Sequence, residues 1–124
     1  MRVFKTKGFA RFTRRERIGD DTLCDAVARA EGGLVDADLG GGVIKQRLPR
    51  RGQGRSGGFR VIVFYRAKQR VIFVDGFAKN DQGNIDENDL KLFRELAVEF
   101  LKYSRSQVDA LVTAGEWIEV ECDG

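Results

Sequence analysis

The chain has 124 residues, with 22 Lys and Arg against 19 Asp and Glu for a net charge of +3, and is 42% hydrophobic. That composition predicts one globular domain over residues 1–124, and its apolar runs fall far short of the roughly 20 residues a membrane span needs. It contains no histidine, which excludes Ser-His-Asp and Cys-His nucleophile systems and leaves acid–base chemistry to Lys, Arg, Tyr and carboxylates.

Val3 and Phe4 begin a short strand or an extended arm. Phe9, Phe12 and Ile18 recur through a basic stretch in which Thr13 can cap one helical turn. Asp20, Asp21 or Thr22 can cap a second helix, because their side-chain oxygens accept the free N–H groups of a first turn. Leu23, Ala26, Val27 and Ala30 then fall on one face at helical spacing, and Gly32-Gly33 ends the element. Together these predict an αα-hairpin over residues 13–31. Residues 34–42 read as a loop, with glycines at 40, 41 and 42.

Residues 43–48 read as a strand closed by Pro49. Alternation puts Ile44, Gln46 and Leu48 on one face and Lys45 and Arg47 together on the other. Residues 50–58, with four glycines and three arginines, read as a flexible loop. Residues 59–66 and 71–76 are β-branched and aromatic runs joined by a hairpin turn. In the first of them Phe59, Val61, Val63 and Tyr65 share one face, and Arg60, Ile62, Phe64 and Arg66 the other. Both faces are largely apolar, which suits a central strand covered on both sides. Asp86 caps a long helix reaching about Tyr103, with Leu90, Phe93, Leu96, Ala97, Phe100 and Leu101 on its apolar stripe. Ser104 or Ser106 opens a short helix ended by Gly115, and residues 116–121 are an edge strand or an extended tail. The expected fold is a small α+β domain, a mostly antiparallel sheet flanked by an N-terminal αα-hairpin and C-terminal helices.

The two cysteines, Cys24 and Cys122, are too few and too far apart to read as a disulfide framework or a metal motif. They fit a reducing cytoplasm, with Cys24 as a small buried apolar residue. The charged opening Met1-Arg2-Val3-Phe4-Lys5, with no apolar run, predicts no secretory signal, and no metal or other cofactor is expected.

The charge is unevenly placed. The first 70 residues hold 17 cations and 7 acids, and the remainder 5 and 12. From Lys45 to Arg70 there are nine cations and no acid. Such a run raises the local potential and favours a polyanion, and arginine adds bidentate contacts to phosphate. Nucleic acid is the expected partner, against the plainer reading of a solvated basic face.

Three segments in fixed order are diagnostic: Gly41-Gly42-Val43-Ile44-Lys45-Gln46-Arg47-Leu48, Ser56-Gly57-Gly58-Phe59-Arg60-Val61-Ile62-Val63-Phe64-Tyr65-Arg66, and Phe73-Val74-Asp75-Gly76-Phe77-Ala78-Lys79-Asn80. Together they resemble the RelE/HigB-type toxins of type II toxin–antitoxin systems. The resemblance implies a ribosome-dependent mRNA endonuclease whose partners are a cognate antitoxin, the ribosome and mRNA. It also implies that Arg60 holds the scissile phosphate and that Lys45, Arg47 and Lys79 complete the catalytic set. Lys79 is the candidate for proton transfer or leaving-group stabilisation, against the plainer reading of a turn lysine. Arg50, Arg51 and Arg55 are expected to grip ribosomal RNA, and Arg14 and Arg15 either extend that footprint or form only a basic helix face. Tyr65 can stack on a base or pack in the core, and Asn80 can bond a base or close an Asx turn. Two rival readings stay open: a ParE-like toxin acting on DNA gyrase without nuclease activity, and a non-catalytic RNA-binding module.

Overall fold

The computed structural model describes residues 1–50, 54–78 and 85–122. The elements run β1 (Arg2–Thr6), α1 (Lys7–Glu16), α2 (Asp20–Glu31), β2 (Ala37–Gly40), β3 (Val43–Arg50), β4 (Gly54–Arg66), β5 (Arg70–Ala78), α3 (Glu87–Lys102), α4 (Arg105–Thr113) and β6 (Trp117–Val120). The six strands form one sheet in the order β2-β3-β4-β5-β1-β6. Every neighbouring pair is antiparallel except β1 with β5, which is parallel. The chain is an α+β fold, as the element order predicts.

Both faces of the sheet are covered. The α1–α2 hairpin packs Phe9, Phe12, Leu23, Ala26 and Val27 onto Ile44, Leu48, Phe59, Val61 and Val63. On the other face Ala97, Leu101, Val108 and Trp117 meet Phe4, Val43, Ile62, Phe64 and Ile72. The faces of β3 and β4 follow the alternation read from the sequence. Gln46 is the buried polar exception on the hairpin face. Its amide donates to the Ala26 and Leu34 carbonyls at 3.1 and 3.3 Å and accepts from the Asp36 N–H at 2.7 Å, so no polar cost is left unmatched.

Several boundaries differ from the sequence reading. The first helix begins at Lys7 rather than near Thr13, because Thr6 accepts the Phe9 N–H at 3.2 Å and caps it there. Thr13 is buried inside that helix and donates to the Ala10 carbonyl at 2.8 Å. Gly19, without a side-chain cap, precedes α2. Residues 37–40, read as loop, form the edge strand β2. Pro49 does not end β3, which continues to Arg50 through a register shift that accommodates a missing N–H. Part of the expected 50–58 loop is therefore strand, since β4 starts at Gly54. Asp86 and Ser104 cap α3 and α4 as expected, Ser104 through a reciprocal bond with Gln107. Residues 117–120 are an edge strand on β1.

The cysteines are a correction. Cys24 on α2 and Cys122 just past β6 form a disulfide, with Cα atoms 5.5 Å apart across 98 residues. Spacing along the chain says nothing of this contact, which exists because the early part of α2 reaches the chain just past β6, where Cys24 Sγ lies 3.7 Å from the Glu121 carbonyl. The cytoplasmic expectation loses the support it drew from free cysteines. No helix among the described residues is long and apolar enough to cross a membrane.

One glycine has a decisive position. Gly76 lies directly under Phe12, and a Cβ there would sit 2.8 Å from two ring carbons and closer still to a third. The ring cannot withdraw, because Phe9 and Phe59 hold it at centroid distances of 5.5 Å each. Gly76→Ala is expected to cost about 3 kcal/mol through overpacking. A urea melt checks this: the midpoint should fall with the slope unchanged, and an unmoved midpoint would contradict the close packing.

Candidate functional site

Register places the basic residues. Arg47 on β3 is the direct partner of Arg60 on β4, and Lys45 is the partner of Ile62. Directly opposed residues of an antiparallel pair share a face, so Lys45, Arg47 and Arg60 all lie on the α3 side of the sheet. They sit nearer the β3–β4 hairpin than Val43 and Phe64, where α3 packs. Opposed like charges destabilise a sheet, so the Arg47–Arg60 pair is not there for stability.

The three cations are held differently. Arg47 is gripped by Asp36, just before β2: its N–H donates to Oδ2 at 2.7 Å, and its Nε and Nη2 meet Oδ1 at 3.0 Å each. Arg29 of α2 reaches the same carboxylate at 3.4 Å and donates to the Arg47 carbonyl at 2.6 Å. Arg60 is half-buried and its Nη1 donates to the Phe59 carbonyl at 3.4 Å. Lys45 is half-buried and makes no ion pair among the described residues. Sequence alternation brought Lys45 and Arg47 to one face, but Asp36, read only as a loop residue, was missed as the anchor of Arg47.

A family model described as the RelE toxin of the RelE / RelB toxin-antitoxin system matches residues 1–120. The chain belongs to the RelE toxin family. No curated protein matches it. As a RelE toxin it is the toxin of a toxin–antitoxin system, and the family implies an antitoxin as its partner.

Other expected site residues of this RelE toxin lie elsewhere. Tyr65 faces the hairpin side, where its hydroxyl donates to Glu31. Burial first, and then the Glu31 bond and charge, push its phenol up to about 12. The structure does not bring Tyr65 to the Lys45 face, and its packing among Ala30, Ile44 and Val63 matches the core alternative. Arg14 and Arg15 are in the last turn of α1, also on the hairpin side. Arg15 pairs with Glu16 at 3.0 Å and covers the Phe12 ring at 5.6 Å. Arg50 and Arg55 belong to the facing ends of β3 and β4. Arg51, Lys79 and Asn80 lie outside the described residues.

Asp36 carries a pH signature. Burial raises its carboxyl, but the Arg47 N–H, the Arg47 guanidinium and the charges of Arg47 and Arg29 together hold it below its ordinary 3.8. A depressed carboxylate stabilises the fold above its unfolded value and loses that contribution as pH falls through the folded value. Asp36→Asn is therefore expected to cost about 1–2 kcal/mol at neutral pH, with the gap to wild type closing below about pH 4. Urea melts at pH 7 and pH 3 check this, and a gap independent of pH would refute the ionic role.

Proposed function

We propose that this toxin is a ribosome-dependent endoribonuclease that cuts mRNA and so blocks translation. The observation that carries the reading is the Arg47–Arg60 pair with Lys45 two residues away on the same face. Opposed cations on a sheet become favourable when a phosphate lies between them, because guanidinium binds phosphate in bidentate fashion.

Cleavage without a metal uses the 2′-OH of the RNA as nucleophile, which selects RNA over DNA. The protein must stabilise the charge that develops on phosphorus, remove the 2′ proton and protonate the departing 5′-oxygen. Arg60 and Lys45 supply the electrostatic part. Arg47, already bound to Asp36, orients the edge of the site and meets phosphate with its remaining donors. Lys79, which follows β5 in the chain, is assigned the proton for the leaving oxygen. Arg50, Arg51 and Arg55 are assigned to ribosomal RNA. A set this sparse suits a substrate oriented by a larger machine, since orientation alone can supply about 7–11 kcal/mol of barrier lowering.

The test is cleavage of a translated mRNA by the purified protein, with and without bacterial ribosomes, mapped by primer extension. Cuts that need ribosomes support the reading. Cuts on free RNA would remove the ribosome from it. No cut under either condition by a folded protein would remove the enzyme and bring forward gyrase or simple RNA binding. Salt dependence of binding does not separate cleavage from mere binding, because both neutralise phosphates.

A further inference from the structure

We propose that the cleft between the start of α1 and helix α4 binds single-stranded RNA, holding one ribonucleotide against Tyr103 with its phosphate on Lys7 and Arg11. The inference goes beyond cleavage and does not rest on it, since a toxin that cuts nothing can still bind RNA here.

The cleft measures about 440 Å³ and is walled by α1, α3, α4 and the start of β6. That size lies within the range of about 300–1,000 Å³ usual for ligand sites. Its floor is aromatic. Trp117 and Tyr103 lie 5.2 and 5.6 Å from Phe100 between ring centroids, and 5.8 Å from each other. Trp117 is buried, whereas Phe100 and Tyr103 are half-buried. The Tyr103 ring stacks on Phe100, with 27° between the planes, and its hydroxyl donates to Glu99 at 3.0 Å. The ring is thus held in place and still presents surface to the cleft. Nucleobases stack on such rings, and stacking tolerates any base.

The charges on the walls are the second support. Lys7 and Arg11 are exposed and stand one turn apart on α1. Like charges at that spacing repel, and no acid in the first turn of the helix offsets them. Neither makes an ion pair among the described residues, whereas Arg2, Lys5, Arg15, Arg29 and Arg47 all do. A phosphate between the two removes the repulsion and gains charge-assisted hydrogen bonds. The exposed Glu116 carboxylate lines the same cleft, fixed beside α1 because its carbonyl accepts the Lys7 N–H at 2.9 Å. It too makes no ion pair among the described residues. A bare anion has no use for a carboxylate, but a ribose does, because its hydroxyls donate. Glu116 is assigned to the ribose 2′-OH, the group by which a protein tells RNA from DNA.

The third support is extent. A second cleft of about 300 Å³ shares Tyr103 and Leu111 with the first and continues over Gln107 and Ala110 of α4. Room on both sides of Tyr103 suits consecutive nucleotides of a strand rather than a free mononucleotide. An acidic protein segment is the rival occupant. It accounts for the cations and the apolar floor, but Glu116 would repel it.

Trp117 is the only tryptophan of the chain and lines the cleft, so its fluorescence reports this site. The experiment titrates the full-length protein with hexaadenylate RNA, the same hexamer as DNA, 5′-AMP and polyglutamate. The RNA is expected to change the emission saturably, and to bind about 10-fold more tightly than the DNA, which lacks the hydrogen bond to a charged group. AMP should bind more weakly still. Tyr103→Leu should weaken the RNA by about 10-fold, the loss of one stacked base. Arg11→Gln should flatten the dependence of log affinity on log salt by about 0.7, one phosphate contact on a single strand; an arginine with a merely structural role would leave that slope unmoved. Glu116→Gln should bring RNA and DNA together. Arg11 and Glu116 are exposed, so these variants test the site without threatening the fold, and circular dichroism checks each. No saturable response to RNA, or a response to polyglutamate in its place, would overturn the proposal. DNA or AMP binding as tightly as RNA would overturn it as well. The titration contains no ribosome and reads no cleavage, so its failure is distinct from a failure of the endonuclease reading.

Discussion

Arg60→Ala is expected to lower ribosome-dependent cleavage by about 10²–10³-fold, the usual cost of removing one preorganised donor from a developing oxyanion. The argument rests on position. Arg60 lies on the central strand β4 between Arg47 on one side and Phe77 on the other, so its backbone is fixed by ladders on both flanks. A donor held that rigidly loses little in reorganisation when charge builds on phosphorus. The chemical step should suffer more than binding: the single-turnover rate falls while ribosome affinity, carried by many cations, changes little. The comparison is Arg60→Lys, which keeps the charge and loses the bidentate fork, and should recover only part of the rate. A cleavage rate unchanged in Arg60→Ala would place phosphate binding elsewhere on the basic stretch.

Breaking the Cys24–Cys122 bond is expected to cost about 3 kcal/mol. Closing a loop of 98 residues removes enough unfolded-chain entropy for about 4–5 kcal/mol in the chain-entropy model, and measured values run lower, at about 2–4 kcal/mol. For a domain of this size that corresponds to a melting temperature lower by roughly 10 °C. Cys24→Ser and wild type in excess thiol reductant should melt together, and reductant should leave Cys24→Ser unmoved. A wild-type melt indifferent to reductant would show that the cysteines are not joined in solution.

The faces of β3 and β4 were legible because a strand has a period of two and both runs are long and unbroken. Alternation therefore put Lys45, Arg47 and Arg60 on their correct sides. The same rule fails in β5, where Ile62 pairs with Asp75 but Val63 with Phe73, so that Val74 is an extra residue that inverts the pattern before Asp75. Its only trace in the sequence is an acid and a glycine inside an apolar run. β2 was illegible because Ala37-Asp38-Leu39-Gly40 has no pattern of its own and is a strand only by pairing with β3. The glycine-rich start of β4 is strand for the same reason, extended by its partner rather than by propensity. α1 was read short because Lys7-Gly8 is a poor helix start in isolation, and its true beginning depends on Thr6 turning out of β1. Contacts between distant parts of the chain, Asp36 with Arg47 across a turn and Cys24 with Cys122 across nearly the whole molecule, leave no local mark at all.

The position of β1 governs when the molecule can close. Arg2 pairs with Arg70 and Val3 with Val120, so the first strand is sandwiched between β5 and the last strand. Neither pairing is local, and loops of that span are slow to close. During synthesis β6 emerges only after the helices α3 and α4, so β1 keeps an unpaired edge until then. The Arg2 bridges to Asp109 and Glu119, at 3.0 and 2.9 Å, form at that same late stage. Until β6 has emerged, the sheet is incomplete along β1.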